Sequence, residues 1–395
     1  MTTPTAKRDG GLLSPASIGQ VNRSRVLELL HQNGPSSRAQ LARALNVNRA
    51  TIASILHPLI DNRTLVEGEQ VAASPHGGKP ARPLWFNADG LELGAMRLAA
   101  QSVTVARIGM DGTFHAQAHA SIDPGQSIES VQEAVLDLAA RCFDAQALLG
   151  IGIAASGMVD TTTGTIISLH LAPVLNHYPL GRVLAERFGA PVAVDHHPRV
   201  QALGDKWFGH GRQLSSFASV YTGEALGMGI VHEGQIIAGP AGAGGEYGHT
   251  VVDMGGERCL CGRHGCWETV ASVLWLRREA ERRGFEEPQD LGAARLSQAA
   301  DAGDEASASL LDLYARNLAV GMANNEHMLA SGTYVVHGDA AAGGERLRAL
   351  LQQWLTTFSP RRGLPTTVVL GDSGDQIALL GGAGLVLSRE LGAGI

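Results

Sequence analysis

No run of apolar residues in this chain approaches the length of about 20 that a helix needs to cross a bilayer. The first nineteen residues, MTTPTAKRDGGLLSPASIG, have no apolar core of the kind a secretory signal carries. The expectation is a cytoplasmic protein without membrane contact. Cysteine is scarce as well, four in 395 residues, and in the cytoplasm thiols stay reduced, so metal binding is favoured over disulfides. Positive charge is lacking in most of the chain: residues 1 to 89 carry a net +4 and the remainder −11, within an overall −7. A basic module on an acidic body points to a nucleic-acid partner for the module alone. With 44% hydrophobic residues the chain can bury two or three cores.

The basic module reads as three helices. Val26, Leu27, Leu29 and Leu30 line one face before the stop at Gly34-Pro35. Ser36 or Ser37 can cap a second segment in which Leu41, Ala42 and Leu45 share a face. Asn48 caps a third, with Ile52, Ile55, Leu56, Leu59 and Ile60 on its apolar side. Arg49, Thr51 and Ser54 then face outward at its start, the end that enters a major groove in a helix-turn-helix. Pro58 removes a backbone hydrogen bond and is expected to kink or end that helix. Two short strands, Leu65–Glu67 and Pro83–Phe86, flank a Gly/Pro-bearing segment with Lys79 and Arg82, as in a wing whose tip is basic.

Three of the four cysteines lie inside residues 241 to 268, AGAGGEYGHTVVDMGGERCLCGRHGCWE. His249, Cys259, Cys261 and Cys266 make a one-imidazole, three-thiolate set that suits a tetrahedral structural Zn2+, and glycines at 255, 256, 262 and 265 allow the turns this needs. His264 is a second candidate for the nitrogen ligand, disfavoured by its place inside the short loop. Cys142 falls in an apolar helix pattern and reads as core. Beyond Asn87 come glycine-punctuated strands and longer helices: strands at Leu93–Leu98, Val103–Ile108, Phe114–His119, Leu148–Ala154 and Pro191–Val194, with helices at Ile128–Phe143 and Leu180–Phe188. Two further glycine-rich strands follow near Ser216, then helices from about Thr269 to Ala330, a closing strand at Tyr334–Val336, and a final helix from about Gln376. This is an α/β pattern.

The run G-x-x-x-x-G-x-x-G-x-x-G-E-x-G-H from Gly234, followed by C-x-C-G-x-x-G-C-x-E to Glu268, resembles the signature of the ROK family, which groups sugar-responsive bacterial repressors with sugar kinases. The G-K-P-A at 78 to 81 resembles the wing of its repressors. The resemblance implies a winged helix-turn-helix at 1–88, then a two-lobed actin-like, ribonuclease-H-like body. Its first lobe would be 89–215 with the terminal helix 376–395, and its second, 216–375, would hold the zinc. It implies a sugar in the cleft, touched by Glu246, His249 and Glu268, and association as a homodimer or homotetramer on pseudo-palindromic double-stranded operator DNA.

The kinase branch needs two phosphate-binding turns and an aspartate base. Leu93 to Ala100 lacks the aspartate and glycine pair of the first turn, and Gly223 to Gly227 carries Glu224 in the second. His196 and His197 stand where the kinases have asparagine and the base, and Val336-His337-Gly338-Asp339 replaces a glycine-rich turn on the adenine side. These departures imply a regulator, not an enzyme, and make His196 and His197 candidates for contact with a sugar that is unusual, phosphorylated or acidic. A regulator controlled by a protein partner stays open beside it.

Overall fold

Asn48 is extended, and its side chain accepts the Thr51 backbone N–H at 2.8 Å, which satisfies one of the free donors at the start of a helix. In the computed structural model, which describes residues 15–69, 82–87, 91–143, 148–360 and 363–390, that helix is the third of the N-terminal unit. It is preceded by α1 (Pro15–Asn33), β1 (Ser36–Ser37) and α2 (Arg38–Ala44). Ser37 starts α2 with a reciprocal cap: Gln40 N–H reaches the Ser37 hydroxyl, and the Gln40 side chain returns to the Ser37 N–H at 2.8 Å. α3 (Arg49–Asp61) turns Ile52, Ile55, Leu56 and Leu59 onto Val26, Leu27 and Leu30 of α1 and Leu41 of α2, all buried. β2 (Leu65–Glu67) and β3 (Pro83–Phe86) pair antiparallel, Leu65 opposite Phe86, and with β1 give a sheet ordered β1-β3-β2. This is a winged helix-turn-helix.

Of the kink or end expected at Pro58, the end does not occur: α3 continues to Asp61. Pro58 is exposed on the helix's last turn, and Ile55, Leu56 and Leu59 on either side are buried, so core packing holds the backbone in register past one missing hydrogen bond. The wing segment with Lys79 lies outside the described residues.

The second unit, Ala88 to Val386, is built from two sheets of the same plan. The first lobe contains β4 (Glu92–Leu98), β5 (Ser102–Gly109), β6 (Phe114–Ser121), α4 (Ile128–Cys142), β7 (Leu148–Ala155), the small hairpin β8 (Met158–Asp160) and β9 (Thr165–Ser168), α5 (Leu180–Phe188) and β10 (Val192–His196). Its main sheet runs β10-β7-β4-β5-β6, with two antiparallel hairpin pairings on one side of β4 and two parallel ones on the other. After α6 (His197–Trp207), β11 (Phe217–Thr222), β12 (Leu226–His232), β13 (Gln235–Ile236), β14 (Thr333–Gly338) and β15 (Thr367–Leu370) repeat that order as β13-β12-β11-β14-β15. Helices α7 (Glu268–Ala271), α8 (Val273–Arg282), α9 (Ala293–Asp301), α10 (Glu305–Leu329), α11 (Asp339–Ala342) and α12 (Gly344–Phe358) belong to this second lobe, and α13 (Gln376–Glu390) closes the chain.

Each lobe has its own core. One joins Met96, Val105, Ile153 and Val194 with α4 and α5, and includes Cys142 as expected. The other joins Val220, Ile230 and Val336 with Trp267, Trp275, Tyr314 and Leu351. The strand β15 and the helix α12 were not expected. β15 is four residues long, and α12 buries only Leu347, Leu351 and Leu355.

Where α13 meets the first sheet and α6, side chains are absent because backbones touch. A Cβ on Gly152 of β7 would lie 1.9 Å from the Gly382 carbonyl oxygen, and one on Gly381 would lie 1.9 Å from that of Val200. Gly152→Ala should therefore destabilise the protein by about 1–3 kcal/mol through overpacking, seen as a lower Tm in thermal unfolding. An unchanged Tm would show that α13 shifts freely on this sheet.

Candidate functional site

The loop after β13 turns back on itself through isolated bridges, Val251 opposite Cys266 and Arg258 opposite His264. Only glycine fits at 265, where φ is +67° and a Cβ would collide with the Asp253 carbonyl. The turn places Cys261 Sγ 3.6 Å from Cys266 Sγ, and Cys259 Sγ 3.5 Å from His249 Nδ1. All four donor atoms fall within 4.8 Å of one another. A tetrahedral zinc with ordinary bond lengths has edges of about 3.8 Å between sulfurs and about 3.6 Å from sulfur to nitrogen, so the donor set fits the ion. His264 turns its Nδ1 toward the Gly256 carbonyl, 3.3 Å away, and stands outside the cluster. Bound there, a zinc would hold the knuckle closed and fix the His249 ring through Nδ1, leaving Nε2 for another partner.

His249 also lines a cavity of about 700 Å³ within the second unit, together with His196, Glu246 and Glu268. That is room for a small ligand. Glu268 heads α7, and its Oε1 lies 3.0 Å from Cys259 Sγ and 3.4 Å from His249 Nδ1, so this carboxylate touches the cluster as well as the cavity. Glu246 precedes the short turn Tyr247–His249, with Oε1 3.7 Å from His196 Nδ1. Burial raises the Glu246 carboxyl above its ordinary range. For His196, burial and then the charges of Arg199, His249 and Arg97 push the imidazole down to about 3, so it is neutral at pH 7. His197 does not join this wall. It is buried and meets the Tyr221 ring edge-on at 4.4 Å, and burial holds it well below the usual histidine range.

Two buried arginines that hydropathy patterns pass over organise the site. Arg199 of α6 donates through Nε to Asp195 at 2.8 Å and through Nη1 to the Gly244 carbonyl, which ties the glycine-rich loop before Glu246 to the end of β10. The i, i+4 spacing of Asp195 and Arg199 was the signal that could have revealed it. Arg97 of β4 is also buried, lines the cavity and donates to Ser156 Oγ at 3.1 Å. No sequence feature marks Arg97 apart from its charge inside a strand.

The places of the kinase turns are otherwise engaged. Ala99 to Gln101 simply join β4 to β5, and Glu224 is exposed in the β11–β12 turn at the cavity. His337 is buried with Nε2 2.9 Å from Asp205 Oδ2, while its Nδ1 accepts the Asp372 N–H at 2.9 Å. Asp339 accepts the Ala293 N–H at the start of α9. In the N-terminal unit Arg49, Ser54 and Arg82 are exposed and Thr51 half-buried.

A duplicated two-lobed α/β body with a His/Cys3 knuckle beside its cavity, accompanied by a winged helix-turn-helix, defines a regulator built on a sugar-kinase-like fold. Residues 93–389 match the model of the ROK family, and the chain belongs to that family. It is 26% identical over 357 residues to the xylose repressor of Caldicellulosiruptor bescii, an alignment covering 85% of this chain and 88% of that one. It is 32% identical over 257 residues to a glucokinase of Halalkalibacterium halodurans, covering 62% and 77%. Among solved structures it superposes on a ROK family transcriptional regulator, a homologue of the E. coli MLC protein, with TM-score 0.78 and 26% identity over 95% of this chain and 97% of that one.

Removing one thiolate leaves three donors. Cys266→Ser should lower zinc content from about one ion per chain to a small fraction and reduce thermal stability, as measured by metal analysis and unfolding. Full zinc in the variant would remove Cys266 from the ligand set.

Proposed function

We propose that this protein is a transcriptional repressor whose grip on operator DNA is controlled by a sugar or sugar derivative bound beside the zinc knuckle, and that it is not a kinase. The observation that carries the reading is the composition of the cavity. Glu246, His249, Glu268 and His196 offer the acceptors and donors that adjacent hydroxyls require. At the positions where phosphate would need backbone amides and a cation, the chain presents Glu224 and the plain Ala99–Gln101 turn. Similarity to a xylose repressor and to a ROK transcriptional regulator supports the DNA-binding role. Similarity to a glucokinase supports only the sugar. ATP consumption with a sugar panel separates the enzyme from the regulator, and absence of turnover above background is the expected outcome.

In this reading Arg49, Thr51 and Ser54 meet base edges, while Lys79 and Arg82 serve phosphates or the minor groove. One winged head covers a half-site, so the operator is pseudo-palindromic and the working form a homodimer or homotetramer in the cytoplasm. Arg49→Ala should relax discrimination at one base position by about 1–3 kcal/mol. Equal loss on specific and random DNA would remove Arg49 from base readout.

A ligand shifts such an equilibrium only through unequal affinity for the two states. Glu246→Ala removes a charged acceptor that contributes about 1.5–3 kcal/mol, so effector affinity should fall roughly ten- to a hundredfold. Operator affinity without effector should stay at the wild-type level. Electrophoretic shift on the gene's own upstream region, with sugars added, reads both quantities. Full effector response in the variant would contradict the proposed site.

A further inference from the structure

The wall opposite the knuckle carries a charge that the sugar-binding reading does not use. Arg97, Thr104 and His119 stand side by side across β4, β5 and β6, with Arg97 paired to Thr104 and Thr104 to His119. Arg97 is 4% exposed, yet it faces the same cavity as Glu246 and His249. A guanidinium has five N–H donors, and burying it without matching acceptors is costly. Here Nη1 donates to Ser156 Oγ at 3.1 Å, and Nε is buried with no hydrogen-bond partner. The carboxylate beside it, Asp375 Oδ1, is 3.7 Å from Nε, is partly solvated, and is shared with the Thr104 hydroxyl, 3.4 Å from its other oxygen. The group also lies over the Tyr221 ring, 5.8 Å from its centre. One flat side of a buried cation is thus underlaid by an aromatic ring, while its donors are incompletely used.

The second lobe lines the cavity with Glu224, Glu246 and Glu268 together with the exposed Arg258 and Arg278, whereas the first contributes Arg97, Ser156 and His119, so the buried cation at the cavity wall is Arg97. We infer that the effector is an anionic sugar derivative, with its hydroxyl edge on Glu246 and His249 and its oxyanion on Arg97 and Ser156. This rests on the sugar-binding reading above and adds the ligand's charge. A phosphate and a carboxylate share the chemistry that a planar guanidinium fork recognises.

The test is calorimetric titration of the full-length, zinc-loaded protein with matched sets: glucose, glucose 6-phosphate and glucuronate; N-acetylglucosamine and its 6-phosphate; xylose and xylonate. The expected result is that an anionic member binds at least tenfold more tightly than its neutral parent, and the phosphate and carboxylate arms identify which oxyanion the site takes. Arg97→Gln should abolish that preference, and Arg97→Lys should restore part of it. Asp375→Asn, which removes the competing carboxylate, should tighten the anionic ligand severalfold, a gain that a merely structural Arg97 would not produce. If Arg97→Gln does not fold, Asp375→Asn and Ser156→Ala decide, the latter by a loss confined to the anionic ligand. The inference is overturned if neutral parents bind as tightly as their anionic partners, or if the Arg97 and Asp375 variants keep the wild-type preference. A neutral sugar that releases the operator through Glu246 would overturn it and leave the proposed function standing. Failure of every member to bind would overturn both.

Discussion

Three thiols and one imidazole within 4.8 Å of one another set the position of everything on the knuckle side of the cavity. His249 turns Nδ1 to the sulfurs, and through the same few residues Glu246 and Glu268 are carried to the wall. An imidazole fixed through one nitrogen presents the other in a single orientation, and a loop with so many glycines would otherwise sample many. Arg199 supplies the complementary restraint from the first lobe, because its bond to the Gly244 carbonyl anchors the loop just ahead of Glu246. The site is built from a flexible sequence clamped at two points.

The lobes themselves meet through buried polar contacts. Asp205 of α6 accepts from Ser219 of β11 at 2.7 Å and sits 2.9 Å from His337 of β14, whose other nitrogen takes the Asp372 N–H. Since Nδ1 accepts that N–H, Nε2 carries the proton and donates to Asp205. His337, from the stretch that would have served a nucleotide turn, is thus engaged in a network linking α6, β11, β14 and the segment before α13. An internal latch at His337 stands where the kinases have their glycine-rich adenine-side turn, and this supports the proposal of a regulator beside the similarity to a glucokinase.

Much of this was legible in the residues. Asn48 and Ser37 announced α3 and α2 through their caps, and the periodicity of Ile52, Ile55, Leu56 and Leu59 gave the buried face. The spacing of His249, Cys259, Cys261 and Cys266 points to the cluster that the fold brings together. Part of what stayed hidden has a common cause, since pattern reading treats charge as solvent-facing and proline as a break. Arg97 and Arg199 are buried, with Ser156 and Gly244 as partners far away in the sequence and Asp195 as the near partner of Arg199, and Pro58 is tolerated because burial of its neighbours outweighs one lost bond. β15 is too short for its alternation to stand out, and α12 carried its signal in Leu347, Leu351 and Leu355, four residues apart. His196 and His197 are adjacent in sequence yet diverge, one to the cavity and one beneath Tyr221, as the change from strand β10 to helix α6 between them requires.

The central claim is that the metal cluster holds the ligand-gripping wall in its working geometry. The most direct measurement is calorimetric titration of an operator-releasing sugar into zinc-loaded protein, zinc-stripped protein and stripped protein reloaded with zinc, with the fold followed by circular dichroism in parallel. Affinity should fall at least tenfold on stripping and return on reloading. Equal affinity in all three, with the fold intact, would contradict the account and leave the knuckle a structural element without a part in recognition.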